Sequence, residues 1–152
     1  MKRREALVAM AAPLLVGFQP AVAQPTVARG ILAHFLDLII PADDVTPSAS
    51  ALGVHTELED AVRSHALLSQ LFDYGLSWLD QAGGRPFLSL PPETQQAILA
   101  HAAQADFNQI PGRFFAVARL LATEIYFSKS EAIAGLPLNK APQPDGYLPP
   151  WS

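Results

Sequence analysis

The amino-acid sequence predicts an all-α fold, a small bundle of about five helices followed by an extended C-terminal tail. Apolar residues recur at three- and four-residue offsets in several segments, which is the spacing of one face of a helix. Apolar and polar residues do not alternate over any stretch long enough to predict a strand. Proline and glycine are dense from Lys129 to Ser152, which excludes a continuous helix there.

The first predicted helix and the loop after it differ sharply in composition. A wide apolar face from Arg29 to Ile40 indicates a mostly buried helix that ends at Pro41. The following segment, PADDVTPSASALG, is rich in proline, aspartate and hydroxyl residues, which favour turns. Thr46 before Pro47 predicts the N-cap of one short helical turn within this loop. The apolar face of the helix consists of Ile31, Leu32, Phe35, Leu36, Leu38 and Ile39.

Two further helices are predicted between this loop and a pair of glycines. The second helix spans residues 54–63, and Thr56 and Glu59 have the spacing of a capping box near its start. The third spans His65 to Gln81 and ends at Gly83-Gly84, because glycine adopts the left-handed conformation that closes a helix. Its core stripe contains Leu68, Leu71, Phe72, Leu76 and Leu79.

The last two predicted helices follow a proline-rich start signal. The sequence SLPPE at residues 89–93 predicts the start of a fourth helix that runs to about Ala105. A fifth helix should be the most buried, whereas Arg113 and Arg119 fall outside its apolar face. The narrow apolar side of the fourth helix contains Ile98, Leu99 and Ala102, and the face of the fifth contains Phe114, Val117, Ala118, Leu121 and Ile125.

Residues 1–23 have the pattern of an export signal. A basic start precedes an apolar run from Ala6 to Phe18, which is too short to span a bilayer. The Ala-Val-Ala sequence at residues 21–23 predicts cleavage before Gln24. The pair Arg3-Arg4 resembles a twin-arginine signal, which carries folded proteins, and ordinary secretion is the alternative. We therefore expect a periplasmic chain with a helical domain over residues 24–128 and an extended tail over residues 129–152.

Composition excludes several classes of protein. Ten basic against fourteen acidic residues give a net charge of −4, which argues against binding to nucleic acid. The absence of cysteine excludes thiolate metal sites, cysteine nucleophiles and disulfides. Half of the residues are hydrophobic and the mean hydropathy is +0.20, so the chain has enough apolar surface to fold.

The residues that could carry chemistry do not form a recognisable reaction centre. Asp43-Asp44 could suggest a metal or an acid/base site, but adjacent carboxylates on a loop point in different directions and suit loop hydrogen bonds. Gly83-Gly84 follows a helix, unlike a phosphate-binding loop. We therefore expect no catalytic, cofactor-binding or metal site in this chain. The four dispersed histidines are His34, His55, His65 and His101, and the aromatic residues assigned to core packing are Phe114, Phe115, Tyr126 and Phe127.

Several short motifs carry a family resemblance. The sequence LIIPADD at residues 38–44, continuing through Thr46-Pro47 to Gly53-Val54, resembles the small subunit, subunit 3, of bacterial gluconate 2-dehydrogenase and its relatives. The resemblance spans nearly the whole chain, beginning with the twin-arginine-type leader. The later matches are FF at residues 114–115 with Arg119, YFS at residues 126–128 and GYLPPW at residues 146–151.

This resemblance implies a non-catalytic subunit of a dehydrogenase complex that oxidises a sugar or a sugar acid. Its partner would be a large FAD-containing subunit of the GMC type, often accompanied by a cytochrome c subunit. The FAD and the catalytic histidines would belong to the large subunit, and membrane association would come only through the complex. The small subunit would support assembly and stability, and its leader would export the pair.

The residues that we expect at the partner interface lie in the loop and in the tail. An exposed aromatic side chain or a rigid turn contributes most at such an interface. Two alternatives remain open: a stand-alone periplasmic protein that binds a small ligand in its helical core, and an enzyme that uses Asp43, Asp44 and His55. The expected interface residues are Asp43, Asp44, Pro47, Tyr147, Leu148 and Trp151.

Overall fold

The computed structural model describes residues 25–134 as six helices, of which five are longer than one turn, and this part of the chain contains no strand. The predicted all-α class is therefore confirmed. The predicted export signal and the Gly/Pro-rich part of the tail lie outside the described residues. The helices are α1 (Pro25–Ile39), α2 (Val54–Arg63), α3 (Ala66–Gln81), α4 (Pro92–Gln104), α5 (Ile110–Phe127) and α6 (Ser130–Ile133).

The helix ends follow the proline and glycine signals of the sequence closely. The bounds of α2 are those predicted, and α3 begins directly after His65. A 3₁₀ turn at Phe87–Ser89 precedes α4, whose first residue is Pro92. The four-residue helix α6 begins the segment that the sequence predicts to be extended, and Ala132 within it is buried in the core.

Two predicted helix caps are wrong. Thr46 closes a turn instead of starting one, because its carbonyl accepts the Asp43 amide at 3.0 Å and its own amide donates to the Asp43 carboxylate. The short helical turn starts at Ser48, whose carbonyl accepts the Leu52 amide at 3.3 Å. Thr56 lies inside α2, because this helix already starts after Gly53, which has a φ of 72°.

Helix α5 contacts each of the other four long helices. The prediction that it is the most buried helix is wrong: five of its 18 residues are buried, against five of 16 in α3, because the face with Leu120 and Phe127 is exposed. Its Phe114 ring is 1% exposed and lies 5.2 Å from the Phe35 ring of α1 and 5.3 Å from the Phe72 ring of α3. Arg113 and Arg119 are exposed, as predicted. The buried residues of α5 are Gly112, Phe114, Ala118, Ala122 and Tyr126, with Val117, Leu121 and Ile125 partly buried beside them.

A buried polar contact links α1, α4 and the 3₁₀ turn. The Gln95 side chain donates from Nε2 to the Phe87 carbonyl oxygen at 2.9 Å, so its Oε1 atom faces His34 as an acceptor. The Nε2 atom of His34, 3.0 Å away, must therefore carry the proton of this hydrogen bond. Because both polar ends of Gln95 are satisfied, its burial in the core is tolerated.

Candidate functional site

The loop between α1 and α2 is held in place by hydrogen bonds to its own turn and to α1. The Asp37 carboxylate of α1 accepts the Ser50 amide at 2.7 Å and the Ser50 hydroxyl at 2.6 Å. The Ile40 carbonyl oxygen accepts the Ala49 amide at 3.1 Å. Because a hydrogen bond to a charged acceptor is stronger than one between neutral groups, the Asp37 carboxylate anchors the second half of the loop.

A long-range hydrogen bond joins the same loop to the last turn of α5. The Tyr126 hydroxyl donates to the Pro47 carbonyl oxygen at 2.7 Å, across 79 positions of the sequence. The Tyr126 ring is buried, so the hydroxyl reaches the loop from inside the core. Pro47 was predicted as an interface residue, and the structure shows that its carbonyl faces the protein's own core.

We expect Tyr126→Phe to lower the free energy of unfolding by about 1 kcal/mol, because the Pro47 carbonyl loses its partner while the ring still fills its site. Urea denaturation would measure the loss. Tyr74→Phe is the matched control, since Tyr74 is partly exposed on α3, and its effect should stay within about 0.5 kcal/mol. Equal effects of the two substitutions would contradict the assignment of the hydrogen bond as an anchor.

Asp43 shapes the first half of the loop. Its carboxylate accepts the Val45 amide at 2.8 Å and the Thr46 amide at 2.7 Å, as the interpretation of loop hydrogen bonds predicts. These bonds favour the charged carboxylate and hold the pKa of Asp43 below its usual value of 3.8, with the Thr46 amide as the larger cause. Asp44 beside it is exposed.

The low pKa of Asp43 predicts an acid-sensitive loop. Since the folded-state pKa is below the unfolded one, the stabilisation is present above about pH 4 and is lost as the pH falls through the folded-state value. Asp43→Asn removes this titration. We expect the stability of the variant to fall less steeply than that of the wild type below about pH 4, as measured by urea denaturation at a series of pH values. Parallel profiles would contradict the prediction.

An apolar groove of about 530 Å³ lies between the loop, the end of α5 and α6. Val45 and Phe127 line it with 62% and 51% of their residue surfaces exposed. Of the predicted interface residues in the described part, Asp43 lines the groove, whereas Asp44 and Pro47 do not. The lining residues are Ile39, Ile40, Pro41, Asp43, Val45, Thr46, Thr123, Tyr126, Phe127 and Ala132. The predicted residues Tyr147, Leu148, Trp151, Arg3 and Arg4 lie outside the described residues.

The contribution of α5 to this groove was not predicted from the sequence. Phe127 was predicted to lie in the core together with Phe114 and Tyr126, which are buried, but the structure places Phe127 at the surface. One sequence signal was available: Leu120 and Phe127 are seven positions apart, and so share a helix face that differs from the predicted buried one. Both residues are exposed.

A second opening, of about 190 Å³, lies between α1, α2 and α3, and charged side chains line one side of it. Arg29 of α1 pairs with Glu59 of α2 at 2.8 Å, and Arg63 approaches the same carboxylate at 3.8 Å. The exposed arginines make this a modest surface link between the helices.

Of the residues of the enzyme alternative, Asp43 lines the groove, whereas Asp44 and His55 do not. His55 lies on α2. Within residues 25–134, no three His, Asp or Glu side chains are grouped so that they could hold a metal ion. In the same residues, no helix has the length and apolar character needed to cross a membrane.

Comparison with known proteins identifies one family. No curated protein and no solved structure matches this chain. A family model described as Gluconate 2-dehydrogenase subunit 3 matches residues 28–139, a range that contains the loop, the groove and all helices from α2 to α6. Because this match covers most of the sequence, the chain belongs to the gluconate 2-dehydrogenase subunit 3 family.

Proposed function

We propose that this chain is the non-catalytic small subunit of a periplasmic, FAD-dependent dehydrogenase complex of the GMC type that oxidises a sugar or a sugar acid. The proposal rests on family membership, because the family is described as subunit 3 of gluconate 2-dehydrogenase, and its members are therefore subunits of a dehydrogenase complex. The exposed face of α5 supports it, since a large exposed apolar side chain such as Leu120 gains most by burial against another protein.

The role of such a subunit is assembly and export. Binding to the folded flavoprotein stabilises that flavoprotein by mass action, because the unfolded state has no comparable affinity. The twin-arginine-type leader with Arg3 and Arg4 would carry the pair after FAD has been inserted in the cytoplasm. In this proposal FAD belongs to the large subunit, a cytochrome c subunit is a further partner, and the complex lies at the periplasmic face of the inner membrane.

The contact with the flavoprotein would combine the loop and the tail. Asp44 and Val45 are exposed on a loop whose backbone is fixed by Asp43, Asp37 and Tyr126. A preorganised loop loses little conformational entropy on binding. The tail adds Tyr147, Leu148 and Trp151, whose large side chains suit the centre of an interface.

Affinity purification of the tagged full chain from its native membranes tests this proposal. The tag follows the predicted cleavage site and so stays away from the tail. We expect a partner with a bound-flavin absorption spectrum and sugar- or sugar-acid-dependent dye reduction. Tyr147→Ser with Trp151→Ser should reduce the recovered flavin at least tenfold, whereas Leu67→Ser, at an 83% exposed residue of α3, should leave it unchanged. Recovery of the chain alone, without flavin, would overturn the proposal.

Export is tested separately by Arg3→Lys with Arg4→Lys. If the leader uses the twin-arginine route, this change should keep both the chain and the flavoprotein out of the periplasm. Export of the variant at the wild-type level would refute that route and would favour ordinary secretion.

A stand-alone ligand-binding protein is the second candidate, and the groove volume favours it. A volume of about 530 Å³ falls within the range of roughly 300–1,000 Å³ found for small-molecule sites. Mass spectrometry of the purified protein under native conditions separates the two candidates. A monomer that carries a small molecule supports the second, and a flavoprotein complex supports the first.

A further inference from the structure

We propose that residues 136–140 of this chain fold back and fill the apolar groove. Leu136 and Leu138 would contact the residues that line the groove, and Lys140 would lie beside Asp43 and Asp44. This inference concerns the chain's own tail. It goes beyond the proposed function and would hold whatever partner the subunit binds.

The path of the chain brings this segment to the groove. Ala132 of α6 lines the groove, and the described residues end two positions later, at Ala134. Leu136 follows after two more residues, and each residue of an extended chain spans about 3.3 Å. The segment is thus tethered beside the groove, which raises its effective concentration there far above that of any free molecule.

The chemistry of the segment matches the lining of the groove. Ile39, Ile40 and Phe127 form an apolar wall of the groove, and Val45 is an exposed residue of the same lining. Pro137 biases Leu136 toward an extended conformation. In an extended backbone Leu136 and Leu138 share one side, because side chains alternate with a period of two. That shared side can therefore enter the groove.

The charge of Lys140 is consistent with the same placement of the segment. Lys140 is the only basic residue between Gly135 and Ser152, and it lies on the side of the extended segment that carries Leu136 and Leu138. The loop at the groove carries two adjacent carboxylates, Asp43 and Asp44. A lysine that follows two leucines at the same spacing would meet these acidic residues when the leucines are buried.

The family match includes most of this segment. It runs through Asn139 and therefore contains Leu136 and Leu138, whereas Tyr147, Leu148 and Trp151 lie beyond it. The match thus includes the two leucines of the proposed docking segment and leaves out the three residues proposed to contact the flavoprotein. If residues 136–140 dock in the groove, the residues after them begin beside the loop at Asp44, and the loop and the tail could then contact one partner together.

Disulfide trapping in the full chain tests the docking, because the protein has no cysteine of its own. Val45→Cys with Leu138→Cys should form a disulfide within one chain, since a disulfide requires Cα atoms within about 7 Å. The control pair is Leu67→Cys with Leu138→Cys. Leu67 is more exposed than Val45 and lies at the start of α3, beyond the end of α2 that is remote from the loop.

Docking predicts at least tenfold faster oxidation of the Val45 pair than of the Leu67 pair, measured on non-reducing gels and by peptide mass. Equal rates would overturn the proposal, because an undocked tail samples both positions. A disulfide between two chains would also overturn it, since a second copy would then occupy the groove.

Alkylation of the single thiol in Val45→Cys gives an independent measurement. A docked segment shields this thiol, so Leu136→Ser with Leu138→Ser should raise the alkylation rate several-fold. Leu67→Ser, at an exposed residue of α3 outside the groove and the proposed interface, is the control and should not change the rate. If the Leu136/Leu138 double substitution has no more effect than this control, the groove is not filled by residues 136–140 and the proposal fails.

Discussion

Gly75→Ala should lower the free energy of unfolding by roughly 2–3 kcal/mol, although alanine is the better helix former. A Cβ atom at Gly75 of α3 would lie 2.2 Å from Cγ and 2.7 Å from Cβ of Phe114 in α5. Rotation of the Phe114 ring does not relieve the contact with its Cβ, and the surrounding core leaves the ring little space. The two helices must therefore move apart. Urea denaturation would measure the loss, and the slope of the free energy of unfolding against urea concentration should not change.

Gly30→Ala is the matched control for this prediction. Gly30 also lies inside a helix, but a Cβ atom there would be 3.7 Å from the nearest atom, Cδ1 of Leu88, which is an ordinary contact. Only the helix propensity then changes, and we expect stability to rise by about 0.5–1 kcal/mol. If Gly75→Ala stabilised the protein as Gly30→Ala does, the close approach of α3 and α5 would be refuted.

The order and extent of the helices could be predicted because the determinants are local. Apolar spacing placed Ile31, Leu32, Phe35 and Leu36 in the core, and proline and glycine marked the helix ends. The wrong cap at Thr46 has a local origin in its hydrogen bonds to Asp43. The Asp43 carboxylate competes for the Thr46 amide within the loop, and a pattern of residue types does not show which of two hydrogen bonds is formed.

The candidate site could be predicted less well, because it is assembled from distant segments. The loop was recognised as a candidate interface, but the groove needs α5 and α6, which lie about 80 residues further along the chain. The Tyr126 bond to Pro47 joins the same segments, and its residue types give no sign of the pairing. Periodicity also does not distinguish a buried aromatic residue such as Tyr126 from an exposed neighbour such as Phe127.

Phe114→Ala should be the most damaging large-to-small substitution in α5, with a loss of about 3–5 kcal/mol. The Phe114 ring is fully buried, and its partners, Phe35, Phe72 and Gly75, come from α1 and α3. Removal of the ring leaves a cavity where three helices meet. Since small proteins are stable by only about 5–15 kcal/mol, this loss would bring the variant close to unfolding at moderate temperature.

Phe115→Ala separates this core effect from the general loss of an aromatic residue in α5. Phe115 is only partly buried; its ring lies 6.1 Å from Phe35, and the Arg119 guanidinium lies 5.7 Å from it. Solvent can fill part of the space that its ring leaves, so we expect less than half of the loss caused by Phe114→Ala. Thermal and urea denaturation of both variants measure the two losses. The change in helix propensity is nearly the same in both, because each variant replaces Phe by Ala inside α5, so the difference between the losses reports burial. Equal losses would mean that the two rings are equally buried, and would contradict the orientation of α5 on which the groove at Phe127 depends.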